Sequence, residues 1–418
     1  MSSMESWDVI VIGAGPAGLA AALAAHGAGA RVCIVEREVR PGGILKQCIH
    51  DGFGLVRFEQ KLSGPEYAWH DIRAVRDAGI QLYTDTFLLQ LEREEGFVLT
   101  LQNKERAVFQ LKARALVAAT GCRERTSRQV FIYGQRPAGV YTAGTVQRLI
   151  NIQGYLPGRR CVILGSGDIG LIMARRLTLE GAEVVGVYEI KAEPSGLSRN
   201  IVQCLEDYNI PLHLAQTVTA VHGSERVEGV SICRVGPDLR PIPGTEEYIP
   251  CDTLILSVGL IPENDILRPL GVELDRRTGG PRVDQRLHSN VPGLFSCGNA
   301  LHVNDLVDYV SESGETAGKA AAEFALGGRK TPQRVPLLAR GNIQYVVPQY
   351  LDLEHNAPAV IYFRGECTLS RVEMHLLSGE KVLMRRRYAV IRPPEMERVV
   401  LNPAELTESN EIIISLGG

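Results

Sequence analysis

Residues 7–18 read WDVIVIGAGPAG, and the order of events in that stretch decides the fold. Five of its first six positions are apolar, as in a parallel strand buried on both faces. The glycines follow at Gly-x-Gly-x-x-Gly spacing: Gly13, Gly15 and Gly18, with Pro16 and Ala17 between the last two. Residues 19–25 then carry the alanine-rich composition of a helix packed on a sheet. Each glycine has its own task. Gly13 permits the tight turn, Gly15 lets the backbone approach a pyrophosphate, and Gly18 lets helix and strand pack closely. The first amides and the positive dipole end of the helix then hold phosphate oxygens. A second apolar run, residues 31–35 (RVCIV), ends at Glu36, placed to accept hydrogen bonds from an adenosine ribose. A glycine triplet alone is weak evidence; strand, turn, helix, strand and acid in this order are strong evidence.

The pattern recurs. Residues 161–170 (CVILGSGDIG) repeat the strand and the turn, with Gly165, Gly167, Asp168, Ile169 and Gly170 as the contact positions. Residues 171–179 supply the helix, and residues 183–188 (EVVGVY) lead to Glu189. An acid there favours a free ribose 2′-hydroxyl over a 2′-phosphate, so NAD(H) is expected rather than NADP(H). Lys191 pulls the other way. Two dinucleotide sites in one polypeptide imply electron exchange between two dinucleotides, the behaviour of a flavoprotein that also uses a nicotinamide. The alternative for the second turn is a relic that binds nothing.

At 418 residues the chain is long enough for two or three domains. A net charge of −3 and a pI near 6.3 argue against a nucleic-acid surface. Residues 9–25 carry no charge, but no cationic segment precedes them and three glycines interrupt them. Neither a signal peptide nor a membrane span is expected. The nine cysteines (Cys33, Cys48, Cys122, Cys161, Cys204, Cys233, Cys251, Cys297 and Cys367) are scattered, with no Cys-x-x-Cys, zinc or iron–sulfur spacing. Reduced thiols and a cytoplasmic location are the expectation, with no metal site.

Further stretches carry a resemblance. Residues 114–121 (RALVAATG), 254–259 (LILSVG) with Pro262, and 291–299 (VPGLFSCGN) resemble flavoproteins with two dinucleotide-binding domains, such as thioredoxin reductase and NADH oxidase. The resemblance implies an α/β fold with two Rossmann-like three-layer domains and a smaller C-terminal domain. The FAD domain would be discontinuous, residues 1–125 and 285–328, with an NAD(H) domain inserted at 126–284. It implies FAD contacts at Gly13, Gly15, Pro16, Ala17, Gly18, Glu36, Arg37, Gly42, Gly43, Leu88, Thr120, Gly121, Gly298 and Asn299. For NAD it adds Gly259 to the second turn and Glu189. After residue 299 a helix would begin whose N-terminus faces the isoalloxazine. Residues 41–45 (PGGIL), 120–125 (TGCRER) and 136–144 (RPAGVYTAG) resemble one subgroup. It holds the larger subunits of opine oxidase, hydrogen cyanide synthase and sarcosine oxidase, and a flavoprotein encoded beside bacterial glycerol-3-phosphate dehydrogenase. That implies a partner redox subunit or a homo-oligomer. Asn299 departs from the Asp of most relatives; it keeps an acceptor oxygen and removes a charge.

Disulfide reductases of this kind need two neighbouring cysteines beside the flavin. After Gly42 and Gly43 only Cys48 follows, so dithiol chemistry is not expected. Cys48 is read either as a single redox thiol or as an ordinary half-buried one. His50 and His302 are candidate proton donors or acceptors, with a histidine bonded to loop backbone as the plain alternative. Asp305, Asp308 and Glu312 sit where helix capping would explain them. Arg123, Glu124, Arg125 and Arg128 read as a solvated interdomain linker, or else as a hinge or an anionic-substrate contact.

Residues 327–332 and 335–336 mark a linker. Beyond it, runs at 360–363, 371–376, Lys381–Ile391 and 411–416 predict a small antiparallel β domain, residues 335–418, suited to docking or assembly. Arg385, Arg386 and Arg387 read as a docking surface or, since only alternate members of a strand share a face, as simple solvent exposure, which is the default. The leading functional expectation is an FAD enzyme exchanging a hydride with NAD(H) and a second small-molecule acceptor or partner subunit. The others are a dehydrogenase or oxidase of an amine, imino acid or hydroxy acid, and an assembly subunit with vestigial sites.

Overall fold

The computed structural model describes residues 4–327, 333–355, 358–402 and 411–417. Most of the expected 327–332 linker lies outside these residues. Among the described residues the α-helices are α1 (Pro16–Gly27), α2 (Gly64–Asp77), α3 (Ala143–Asn151), α4 (Asp168–Leu179), α5 (Ser198–Cys204) and α6 (Val307–Gly327). The chain forms two compact units, one from residues 1–122 and 262–418, the other from 123–261. Residues 262–284, expected in the inserted domain, therefore pack with the first unit. The reason is visible at Asn264, whose amide nitrogen bonds the carbonyl oxygens of Gly279 and Ala300.

In the first unit, strand Glu5–Ile12 lies between Val32–Val35 and Ala107–Ala118, and all three run parallel. The sheet extends to Gln81–Tyr83 on one side and, antiparallel, to Phe97–Asn103 and Phe87–Arg93 on the other. Leu294–Ser296 returns late in the chain to pair with residues 116–118. The alternation of side chains builds two cores. Val9, Val11, Ile34 and Val117 face α1 and α6, while Ile10, Ile12, Leu116 and Ala118 face the antiparallel arm. Ile12, Val35 and Ala118 share one register level, and Ser296 pairs with Ala118. The segments after these residues therefore emerge along one carboxyl edge, where open α/β sheets bind ligands.

The second unit repeats this plan with a fully parallel sheet: Val140–Thr142, Thr253–Leu256, Arg160–Leu164, Glu183–Glu189 and Leu212–Leu214 in spatial order. Cys161, Ile163 and Ile255 face the helices α3 to α5. Val162, Leu164, Leu254 and Leu256 face a second sheet built from Tyr133–Gly134, Gln216–His222, Gly229–Arg234 and Glu247–Pro250. Helices, parallel sheet and second sheet make the three layers.

Residues beyond 333 form two facing sheets with a core of their own, including Leu337, Phe363, Met374, Ile391 and Ile414. One sheet has five strands in the order Tyr350–Asp352, Arg334–Gly341, Ile412–Gly417, Leu369–Ser378, Lys381–Ile391; the other holds Ile343–Val347, Ala359–Gly365 and Met396–Leu401. One expectation changes here. The sandwich is not wholly antiparallel, because Arg334–Gly341 and Ile412–Gly417 pair in parallel. Arg385, Arg386 and Arg387, on the outer strand of their sheet, are all exposed.

Candidate cofactor sites

At the first turn, two glycines are required by the protein itself. A methyl on Gly13 would stand 2.4 Å from the Ala119 carbonyl oxygen, and one on Gly18 only 1.8 Å from that of Gly13. Gly15 differs. The nearest atom to such a methyl is 3.9 Å away, and its backbone (φ −75°, ψ −179°) suits any residue. Neither packing nor backbone geometry calls for glycine at 15; the approach of a ligand does. Gly15 is also the N-cap of α1, which has no side-chain cap and no acid in its first turn. That leaves its amides open to an anion.

Glu36 is 6% exposed. One carboxylate oxygen accepts from the amide of Ala14 at 2.7 Å, and the other from the amide of Glu38 at 2.8 Å. Each oxygen keeps a lone pair, enough for two ribose hydroxyls. Gly42 donates its amide to the Ala14 carbonyl, which folds residues 36–43 back over the turn. Arg37 is exposed and lies 3.5 Å from Glu263. Leu88 packs against the core of the antiparallel arm.

The other strand ends complete the edge. The Thr120 hydroxyl donates to the Glu263 carbonyl at 2.6 Å, and the Glu263 amide donates to the Gly121 carbonyl at 2.9 Å. Gly298 donates to Ser313 Oγ at 2.8 Å and lies against Ala17. Asn299 Oδ1 accepts from both the backbone and side-chain nitrogens of Asn304, at 3.1 and 3.3 Å. A backbone amide can only donate, so it fixes the orientation of the Asn299 amide. The acceptor oxygen expected to meet a ligand is spent internally. Nδ2 lies 3.8 Å from Cys122 Sγ and has a second hydrogen to donate elsewhere. Five buried polar atoms at residues 263–264 and 296–304 have no partner among the described residues: Glu263 Oε2, Asn264 Oδ1, Ser296 Oγ, His302 Nδ1 and Asn304 Oδ1. Such a concentration of unsatisfied groups calls for a polar ligand or water. The turn and these atoms together fit a large dinucleotide such as FAD.

The second turn shows the same division of labour. A methyl on Gly165 would meet the Ser257 carbonyl oxygen at 2.2 Å and one on Gly170 the Ser257 Cβ at 2.7 Å, whereas Gly167 has nothing nearer than 3.3 Å. Glu189 is 3% exposed and holds the turn as Glu36 does, accepting from the Ser166 amide at 3.0 Å and the Lys191 amide at 3.1 Å. Here, however, the Ser166 hydroxyl also donates to Glu189, at 2.6 Å. The residues after Glu189 are tied down as well: Ser195 donates its amide to Ser166 Oγ, and Leu197 and Asn200 donate to Asp168 Oδ1. The Gly170 amide is bonded to Ser257 Oγ. Ile169 packs into the helix-side core, and Gly259 accepts from the Arg125 amide. The arrangement fits a dinucleotide with fewer free groups on offer.

The catalytic candidates separate. Cys48 and His50 share the turn after Gly43–Gln47; Cys48 Sγ lies 3.4 Å from the Ile44 carbonyl, and His50 Nδ1 lies 3.2 Å from the Asp51 carbonyl. His302 is 2% exposed, enclosed by Tyr345 and Tyr362. Burial, reinforced by the Arg364 guanidinium, pushes its pKa down to about 3, so the ring is neutral. No disulfide joins cysteines among the described residues, and burial pushes Cys161 and Cys297 up to about 12, leaving those two thiols inert. Of the three acids near α6, Asp308 lies in the first turn of the helix, as the capping reading expects, but all three have partners on other elements. Asp305 pairs with Arg364, Asp308 accepts from the Arg57 amide, and Glu312 binds Tyr362 and Arg398. Glu124 is no free linker residue either, since it accepts from the Gly144 amide at the start of α3. Sequence reasoning passed over Glu263, Asn304 and Ser166, although Glu263 directly follows the quoted Pro262. No helix among the described residues is long and apolar enough to cross a membrane.

Residues 7–345 match the family model described as pyridine nucleotide-disulphide oxidoreductase. An opine oxidase subunit of Rhizobium meliloti is 27% identical over 351 residues, 77% of this chain and 63% of that protein, so the match spans less than two thirds of the relative. Thioredoxin reductase of Listeria monocytogenes is 26% identical over 344 residues, covering 78% of this chain and 96% of the relative. The crystal structure of T. acidophilum thioredoxin reductase shares the fold with a TM-score of 0.62 at 22% identity, over 76% of this chain and 98% of that one. With both glycine turns inside the matched region, the chain belongs to the pyridine nucleotide-disulphide oxidoreductase family, oxidoreductases that bind FAD and NAD(P)H.

Proposed function

We propose that the chain is an FAD-dependent oxidoreductase that exchanges a hydride with NAD(H) and passes electrons to or from a second acceptor or a partner redox subunit. In this reading FAD is held by residues 1–125 and 285–328, NAD(H) by the inserted domain, and the C-terminal β domain serves assembly. The observation that supports it is the pair of middle glycines, each capping a helix: at Gly15 the surrounding protein leaves room for a side chain, and at Gly167 only the Ser257 hydroxyl, 3.3 Å from an added methyl, would have to yield. FAD, when bound, supplies a flavin ring able to accept and release a hydride.

The chain's own residues orient and bind. Glu36 and Glu189 each fix a glycine turn; Glu36 keeps a lone pair on each oxygen for ribose hydroxyls, Glu189 on one oxygen only. An acid at Glu189 disfavours a 2′-phosphate, which supports NAD(H) over NADP(H). His302, neutral and enclosed, is suited to a hydrogen bond rather than to proton release. His50, half-buried in a surface turn, is the more accessible of the two. The absence of a neighbouring cysteine pair in the sequence speaks against dithiol exchange despite the family's name.

A second reading draws on the opine oxidase relative, which is itself one subunit of an oxidase. There the flavin would oxidise an amine, imino acid or hydroxy acid, and electrons would pass to a companion chain. Anaerobic titration separates the two. Rapid bleaching of the visible flavin band by NADH is expected; bleaching by an amine or hydroxy acid alone would replace the first reading with the second.

A further inference from the structure

The C-terminal sandwich carries no reactive cluster that its sequence announces, yet it presents an ordered polar face to the start of α6. Tyr345 and Arg364 are directly opposed on neighbouring strands, and so are Tyr362 and Arg398. The first pair grips the segment before the helix. Arg364 ion-pairs with Asp305, donates to the Val303 carbonyl at 3.3 Å, and is steadied by Tyr345 Oη at 2.8 Å. The Met396 amide, on the third strand, donates to the same Asp305 carboxylate at 2.6 Å. The second pair grips the helix itself: the Tyr362 hydroxyl donates to Glu312 at 2.6 Å and Arg398 makes a forked contact to it.

Between the two gripped residues, Val303 and Asp305, lies Asn304. Its backbone and side-chain nitrogens both donate to Asn299 Oδ1, and its side chain also holds the His302 carbonyl at 2.9 Å. Hydrogen bonds on Val303 and Asp305, joined through the backbone of Asn304, therefore link the sandwich to the loop that follows the returning strand. Arg364 is 12% exposed and Asp305 20%, so the pair is shielded from water and acts at short range. Surface ion pairs seldom hold geometry; a half-dry fork with three further bonds does.

We infer that Arg364 is a positioning residue for the cofactor: the sandwich sets the loop of residues 298–305 in its binding geometry. This rests on the reading that the loop contacts FAD. The sandwich is then a brace for the flavin site built into the same chain, and Tyr345 is the strut that aims its guanidinium.

The test compares wild type with Arg364→Gln, Arg364→Lys and Tyr345→Phe, each purified as the full chain. FAD release rate, the visible circular dichroism of the flavin, and the unfolding midpoint of the apoprotein are measured. Arg364→Gln is expected to release FAD at least about tenfold faster and to alter the flavin dichroism. Arg364→Lys should recover part of both, because it restores the charge without the fork. Release at the wild-type rate with an unchanged flavin spectrum would overturn the inference. Should Arg364→Gln fail to fold, Tyr345→Phe decides, since it removes one hydroxyl; an unaltered release rate there counts against the brace. A wild-type chain that takes up no FAD removes the underlying cofactor reading, and the brace with it.

Discussion

The two glycine turns share a plan and differ in how much of their binding capacity they spend on themselves. Both helices have a bare glycine N-cap; at the first turn, Glu36 holds one amide on each oxygen and α1 starts with no acid. At the second, Glu189 also takes the Ser166 hydroxyl, Asp168 places a carboxylate in the first turn of α4, and Ser257 occupies the Gly170 amide. An anion arriving at the first turn meets open donors and a positive helix end. One arriving at the second meets a partly satisfied site with a negative charge beside it. On the proposed assignment, that difference would suit a permanently held cofactor at the first turn and an exchangeable coenzyme at the second.

The largest effects should come from the glycines, and they separate folding from binding. Gly18→Val drives atoms into the Gly13 carbonyl and should lower stability by about 3 kcal/mol or more, read as an early thermal transition. Gly15→Val should change stability by only about 1 kcal/mol yet abolish FAD uptake. Gly167→Val should keep FAD and lose bleaching by NADH. A Gly15→Val protein that remains fully yellow would break the comparison at its root.

Next come the glutamates. Glu189→Ala should raise the NADH concentration for half-maximal flavin reduction about tenfold with bound FAD unchanged. Glu36→Ala should do the reverse, shedding FAD on gel filtration. Crossed effects would mean that the sites are exchanged.

The smallest expected change is the most diagnostic. Asp168→Asn keeps the acceptor used by Leu197 and Asn200 but removes the charge at the helix end. Its NADH affinity should improve by about two- to fivefold, with a weaker dependence on salt. If affinity falls instead, the carboxylate contributes to binding and the account of exchangeability is wrong.

The glycine turns could be read from sequence because their chemistry is local: strand, turn, helix and acid lie within a short span. The register that brings Gly13, Glu36, Thr120 and Gly298 to one edge followed from the same strands. What escaped was long-range. Asp305 looks like a helix cap until Arg364, on a distant strand, is seen to hold it. Glu312 meets Arg398 in the same way. The strands Arg334–Gly341, Ile343–Val347 and Met396–Leu401 are hard to read because their alternation is broken and Pro336 interrupts the first. The orientation of the Asn299 amide is hidden too, since it depends on a neighbour's backbone rather than on residue type.

The interrupted course of the first unit bears on how the polypeptide is made. Residues 123–261 are contiguous and can mature as soon as they leave the ribosome. The first unit must wait with the outer face of α1 bare until α6 is synthesised, because Gly314 and Gly318 lie directly against the Ala17 and Ala21 carbonyls. Its early half is thus a nascent chain with an unclosed apolar surface, the interval in which a chaperone has most to do.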